Sequence, residues 1–153
     1  MKQCRTEQLS IDLAQPRDVP AVRALIVAGL TERWGTYDHS RNPDLVRFES
    51  HYADASTLVA KVDDVIVACG SLIAQAPRIG RIVRMSVAVT HRRDGIGRRM
   101  VRALLERAAL LGYVEVVVET NVDWHSAIAL YEGEGFVRTE RRDGDQHFRY
   151  VLP

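Results

Sequence analysis

The stretch Arg92-Arg93-Asp94-Gly95-Ile96-Gly97-Arg98-Arg99 is where this sequence of 153 residues first suggests chemistry. Glycines at i and i+2 let the backbone curl until successive N–H groups face one concavity. A helix beginning there adds unpaired amide donors and a partial positive charge of about 0.5 e. Together these form a cradle for a phosphate or diphosphate, and four arginines set full charges beside it. The pattern is not a Walker A loop, because the lysine and the Ser/Thr after the last glycine are missing. It is not a dinucleotide fingerprint either, since the third glycine is absent and the preceding strand is not N-terminal. A plain structural turn uses the same two glycines, so this motif alone leaves both readings open.

The second informative stretch runs from Val116 to Phe136. A strand ends in Val118-Glu119-Thr120-Asn121, Trp124 follows, and Ala127-Ile128-Ala129-Leu130-Tyr131-Glu132 reads as a short helix closed by Gly133 and Gly135. Here the chain resembles the GCN5-related N-acetyltransferases, the GNAT superfamily. Their first signature is similar to Arg/Gln-x-x-Gly-x-Gly/Ala, met by Arg92 to Gly97. Their second resembles Ala-Ile-x-Leu-Tyr-Glu-x-x-Gly-Phe, met without a gap from Ala127 to Phe136. One helix and one strand separate the two, as in that superfamily. The likeness covers residues 79–140, and the N-terminal half fits the architecture more loosely.

The resemblance implies acetyl-CoA as co-substrate and no metal. Arg92, Arg93, Asp94, Gly95, Ile96, Gly97 and Arg98 fall on the segment that holds the pyrophosphate, largely through backbone N–H groups. Met85-Ser86-Val87 falls on the strand that pairs with the pantetheine arm and presents an N–H to the thioester carbonyl. Polarising that carbonyl and its tetrahedral oxyanion is the electrostatic help such a reaction needs. Tyr131 falls on the tyrosine that protonates the departing thiolate. The match is chemically sensible: a phenol of pKa about 10 stays protonated at neutral pH, and a thiol of pKa about 8.5 leaves more readily with a proton delivered.

Glu119 falls on a glutamate that some members use to deprotonate the amine, directly or through water. Trp124 departs from the pattern, since many members have a cofactor-touching asparagine there; its contact would be packing or an indole N–H. The implied reaction moves an acetyl group to a primary amine of a small molecule or peptide, by direct attack in a ternary complex. Ser86 and Cys69 lack the histidine or lysine partner that a covalent intermediate needs. A non-catalytic acyl-CoA-binding sensor is the alternative.

Plainer uses stand beside these roles. Tyr131 suits a core position, Glu119 suits pairing with an arginine, and Cys69 suits a buried site in an apolar strand. Cys4 reads as a terminal thiol. His39, His51, His91, His125 and His147 show no metal-ligand spacing and read as surface or loop residues. Trp34, Tyr37, Asp38 and His39 fall in the loop that walls the acceptor site in the superfamily, though a loop tryptophan also plugs core edges. Asp38, Glu119 and Asp123 would suit a cationic acceptor.

The elements that position these residues follow from period and punctuation. Leu9, Ile11 and Leu13 alternate as a strand, and Val19, Val22, Ile26 and Leu30 recur at helical spacing as far as Arg33. Leu45 and Phe48 mark a short second helix after Asn42-Pro43-Asp44. Two strands flank Val62-Asp63-Asp64, and a third covers Ile79–Val89 with Val83, Met85, Val87 and Val89 as its apolar set. Arg98–Leu111 carries one apolar face, and Tyr113–Thr120 is a Val-rich strand. A closing hairpin turns at Asp143-Gly144, the favoured kind of signal. The expectation is one α+β domain over residues 1–153: a mixed, mostly antiparallel sheet of six or seven strands, flanked by helices. It splays between the strand ending near Val89 and the one ending near Asn121, where CoA would enter.

Composition bounds the function classes. The chain is 46% hydrophobic and 27% charged, which suits a single globular core. No apolar run reaches the ~18–20 residues of a membrane span. The first seven residues lack an apolar signal region, so a cytoplasmic protein is expected. The formal net charge of +1 argues against nucleic acid as partner. Nine arginines between Arg78 and Arg107 face only Asp94 and Glu106, which suits either a polyanionic ligand or a solvated face. The terminal hairpin offers an edge strand, so a homodimer is expected.

Overall fold

The computed structural model describes residues 8–153; Cys4 lies outside them. Seven strands form one sheet: β1 (Leu9–Leu13), β2 (Ser56–Val62), β3 (Val65–Ala76), β4 (Ile79–Val87), β5 (Glu115–Asn121), β6 (Val137–Arg142) and β7 (Asp145–Val151). Their order across the sheet is β1-β2-β3-β4-β5-β7-β6. Every neighbouring pair is antiparallel except β4 and β5. The expected single α+β domain with a mixed, mostly antiparallel sheet is therefore what forms.

Five helices cover the two faces: α1 (Val19–Trp34), α2 (Pro43–Val46), α3 (Phe48–His51), α4 (Ile96–Leu110) and α5 (His125–Gly133). Alternation along the strands divides the core between them. Leu58, Val116, Val118 and Phe148 join Met100, Leu104, Ile128 and Tyr131 on the α4–α5 face. Val59 and Cys69 join Val22, Ile26, Leu45 and Phe48 on the other. The expected second helix is two four-residue turns, α2 and α3, broken at Arg47. The strands flanking Asp63 and Asp64 do form a tight hairpin: both residues take left-handed φ angles, 49° and 65°, as a two-residue hairpin turn demands.

One strand departs from its sequence pattern with consequences for the site. Pairing of β3 with β4 runs Ser71↔Val83 and then jumps to Cys69↔Ser86. Arg84 sits in the jump with φ 54°, a bulge that bends β4. Its guanidinium grips Asp44 at 2.8 and 2.7 Å and Asn42 at 3.1 Å, which ties the bulge to α2. The strand ends at Val87 rather than Val89, and Val89 lies 63% exposed in a short 3-10 turn. The bulge breaks the period-two reading, so the expected apolar set was wrong at its far end. β4 and β5 pair only from Ile79 to Arg81 against Glu115 to Val117, so they have already parted before the bulge.

The motif around Tyr131 turns out to be partly an architectural device. The Phe136 amide bonds to the Tyr131 carbonyl at 3.0 Å and the Gly135 amide to Glu132 at 3.1 Å. Gly135 takes φ 96°, and the Tyr131 and Phe136 rings meet edge to face at 5.5 Å. That is a Schellman stop with its hydrophobic contact, and a side chain at 135 would strain it. Glu134, next in line, accepts from Arg98 at 3.1 Å and Arg102 at 2.8 Å, which ties α5 to α4.

Candidate functional site

The parted strands open a cleft of about 1060 Å³. Its first wall is the end of β4, the loop that follows and the start of α4. Met85, Ser86, Val87, Arg92, Arg93 and Gly95 line it, with Ile96, Gly97 and Arg98 beyond them. Asp94, expected among the cofactor-binding residues, is not on the lining.

Arg93 and Gly95 take left-handed φ angles of 68° and 76°, which curls the loop into the helix. Gly95 has no side chain to cap the start of α4, and the first bond back to its carbonyl comes from Arg99 at 3.1 Å. The amides of Ile96, Gly97 and Arg98 therefore remain donors without an intrahelical acceptor. A Cβ on Gly97 would lie 3.3 Å from Leu130, so this glycine also lets α4 approach α5 closely.

The second wall is the end of β5 and the inner face of α5, lined by Glu119, Thr120, Trp124, Ser126, Leu130 and Tyr131. Tyr131 is 4% exposed, its ring held by Phe136 and Phe148. Burial pushes its phenol pKa upward, while the Arg33 charge pulls the other way. The group is a proton donor at neutral pH, not a tyrosinate.

Glu119 is not free. It pairs with Arg81, the last β4 residue paired with β5, and its other carboxylate oxygen lies 3.3 Å from Nδ1 of His147, its direct partner on β7. The expectation that the histidines are surface or loop residues fails for His147, which sits in β7 beside Glu119, while His51 and His91 line the cleft.

Nucleophiles are accounted for. Cys69 is fully buried and burial pushes its thiol up to about 12. The Ser86 hydroxyl donates to the Leu25 carbonyl at 3.3 Å. Neither has a base beside it.

Six of the nine arginines between Arg78 and Arg107 have partners within the chain. Arg81, Arg84, Arg98 and Arg102 are paired with carboxylates, and Arg92 makes a two-pronged bridge to Glu32 at 2.6 and 2.8 Å. Arg107 donates to Ser56 at 3.0 Å.

Several lining residues left no signal in the sequence. Asp44, Tyr52 and Arg84 form one network at the far end from α4; Tyr52 donates to Asp44, and its own pKa rises to about 12 through burial and that carboxylate. Arg33, from the end of α1, stands 4.2 Å over the Trp124 ring. Trp34 packs on the same indole at 5.5 Å. Trp34 thus lies in the last turn of α1 and not in the loop, 59% exposed against the cleft-lining Trp124, and plugs no core edge. Asp38 spends its carboxylate on the Ser40 amide and hydroxyl. Among the described residues no cluster of three metal-ligating side chains occurs, and no helix is long and apolar enough to cross a membrane.

The residues present fit acetyl-CoA: free amides and arginines at one mouth for its phosphates, a parted strand edge for its amide arm, and a buried phenol where the arm would end.

The chain is similar to known proteins in the same terms. The family model described as "Acetyltransferase (GNAT) family" matches residues 19–136. A mouse protein, N-acetyltransferase family 8 member 3, is 38% identical over 71 residues, which are 46% of this chain and 30% of that protein. The chain thus spans less than a third of that relative's length. In fold, a GNAT-family acetyltransferase from Staphylococcus aureus superposes with a TM-score of 0.85 at 16% identity, covering 95% of this chain and 100% of the other. A PaiA N-acetyltransferase from Thermoplasma acidophilum, solved in complex with coenzyme A, gives 0.80 at 12% identity, covering 95% and 99%.

Proposed function

Because the chain belongs to the GNAT acetyltransferase family, we propose that it transfers the acetyl group of acetyl-CoA to a primary amine, by direct attack in a ternary complex. The observation that carries this reading is the parting of β4 and β5 after Arg81, with the uncapped start of α4 on one wall and Tyr131 on the other. The β4 edge from Met85 to Val87 takes the amide arm as an added strand and offers an N–H to the thioester oxygen. The α4 amides and neighbouring arginines take the pyrophosphate.

The amine nitrogen attacks the carbonyl carbon, the tetrahedral oxyanion collapses, and the C–S bond breaks with its electron pair on sulfur. Tyr131 donates its proton to that sulfur. Glu119, alone or through water, receives the proton the amine loses. Arg81 pairs with this carboxylate and orients it. That neither Cys69 nor Ser86 has an activating base beside it supports direct attack over a covalent intermediate.

The acceptor is a small molecule or peptide carrying an amine. We also propose a cytoplasmic location, with which a buried Cys69 thiol is compatible. This reading also includes a homodimer through β6, the outermost strand, whose residues are all exposed. Static light scattering at two protein concentrations separates dimer from monomer.

The test of the activity is release of free CoA thiol from acetyl-CoA, read against a panel of amines, amino acids and N-terminal peptides. Amine-dependent release is the expected result. Tight CoA binding with no release for any amine would favour a sensor instead.

A further inference from the structure

Nothing in the signature motifs involves the last turn of α1, yet it reaches both walls of the cleft. Glu32 bridges to Arg92 of the loop before α4, and the neighbouring Arg33 lies over Trp124 at the start of α5. Arg33 has no ion pair or hydrogen bond with an acid among the described residues, although it lines the cleft. Burial, then the nearby Arg92 charge, lowers the Arg33 pKa. Glu32 is bonded to Arg92 and, among the described residues, no carboxylate is bonded to Arg33, so these guanidiniums and the unpaired helix amides leave a local excess of positive charge facing the cleft.

A guanidinium seated on an indole face keeps its N–H fork free at the rim of the ring, and the stacking fixes its direction. The Glu32 carboxylate meanwhile occupies both prongs of Arg92, the geometry a phosphate would use.

We propose that the last turn of α1 sets the affinity of the cleft for the cofactor's phosphates: Arg33 is an additional phosphate-facing cation, and Glu32 is an internal competitor that must release Arg92. The inference rests on the acetyl-CoA reading above and assigns two residues which that reading does not use. It makes a prediction of opposite signs for adjacent side chains.

The test is calorimetric titration of CoA into the wild-type protein and into Glu32→Gln, Arg33→Gln and Arg33→Lys, with a thermal melt of each. Removing one charge-assisted phosphate contact costs about tenfold in affinity. Arg33→Gln is therefore expected to weaken CoA binding about tenfold, and Arg33→Lys to recover part of the loss. Glu32→Gln is expected to strengthen binding about threefold by freeing Arg92. Both effects shrink at high salt, as contacts between charges in water do. Weaker binding by both Gln variants in step with lowered melting temperatures would overturn the proposal and leave the turn a packing element. Unchanged binding by Arg33→Gln would overturn it as well. Failure of the wild type to bind CoA overturns the acetyl-CoA reading itself, a separate result.

Discussion

The two walls of the cleft are each a strand followed by a helix, β4 into α4 and β5 into α5, but they offer different chemistry. The first wall works through its backbone. In the proposed function its donors are chiefly the amides at the start of α4 and the edge of β4, with Arg92, Arg93 and Arg98 adding charge beside them. The second wall works through side chains, with Tyr131 and Glu119 placed by a helix stop and by strand register. A backbone site is sensitive at its glycines and tolerant elsewhere. A side-chain site is sensitive at the reacting atoms and tolerant of conservative change in the frame. Holding the cofactor and doing chemistry on it are thus separable by mutation.

The sharpest way to break that division is Tyr131→Phe, which deletes one oxygen from a packed ring. Turnover should fall about a hundredfold or more, the usual cost of losing a positioned acid, with CoA affinity unchanged. Equal loss of turnover and affinity would show that the phenol holds the cofactor instead. Glu119→Gln keeps the shape and loses the base; steady-state rates should fall about tenfold, because water can still relay the proton.

On the other wall, Gly95→Ala forces a side chain into φ 76° although nothing lies within 4 Å of the new carbon. The strain of about 1–2 kcal/mol should loosen the cradle and weaken CoA binding about tenfold, with turnover at saturation retained.

Smaller effects test the frame. Burial raises the Asp44 carboxyl, but the Arg84 guanidinium and the Tyr52 hydroxyl outweigh it and leave the group below its ordinary 3.8. The folded state then binds this proton less readily than the unfolded chain. Its stabilisation is complete above about pH 4 and is lost as pH falls below that. Melting temperature should drop over that acid range, and Asp44→Asn should flatten the drop while lowering stability at neutral pH. Smallest of all is Cys69→Ala: a buried thiol titrating at about 12 is no nucleophile, and turnover should change by less than about twofold.

How much was legible in the sequence follows the same division. The glycine spacing at 95–97 and the run from Ala127 to Phe136 announce both walls, because each encodes a local backbone event: a helix start and a helix stop. The parting of β4 and β5 was legible only through the resemblance, and the Arg84 bulge that follows it on β4 is held by Asp44, a contact 40 residues away in sequence. Alternation along β4 hid the bulge by treating every residue as paired. The Arg92–Glu32 bridge and the Arg33–Trp124 contact span 60 and 91 residues, and a lone arginine in the last turn of a helix reads simply as a partner of the helix dipole. Local motifs reveal which residues carry the chemistry, while long-range pairs decide how far the walls stand apart.

The central claim is that the cleft between these walls takes CoA by its phosphates and presents the thioester to Tyr131. Calorimetric titration with acetyl-CoA, with CoA and with ATP tests it most directly. The account predicts micromolar binding of acetyl-CoA and of CoA and none of ATP, which has phosphates but no amide arm to pair with β4. Absence of binding by both CoA forms would make the Gly95-Ile96-Gly97 turn purely structural and contradict the account.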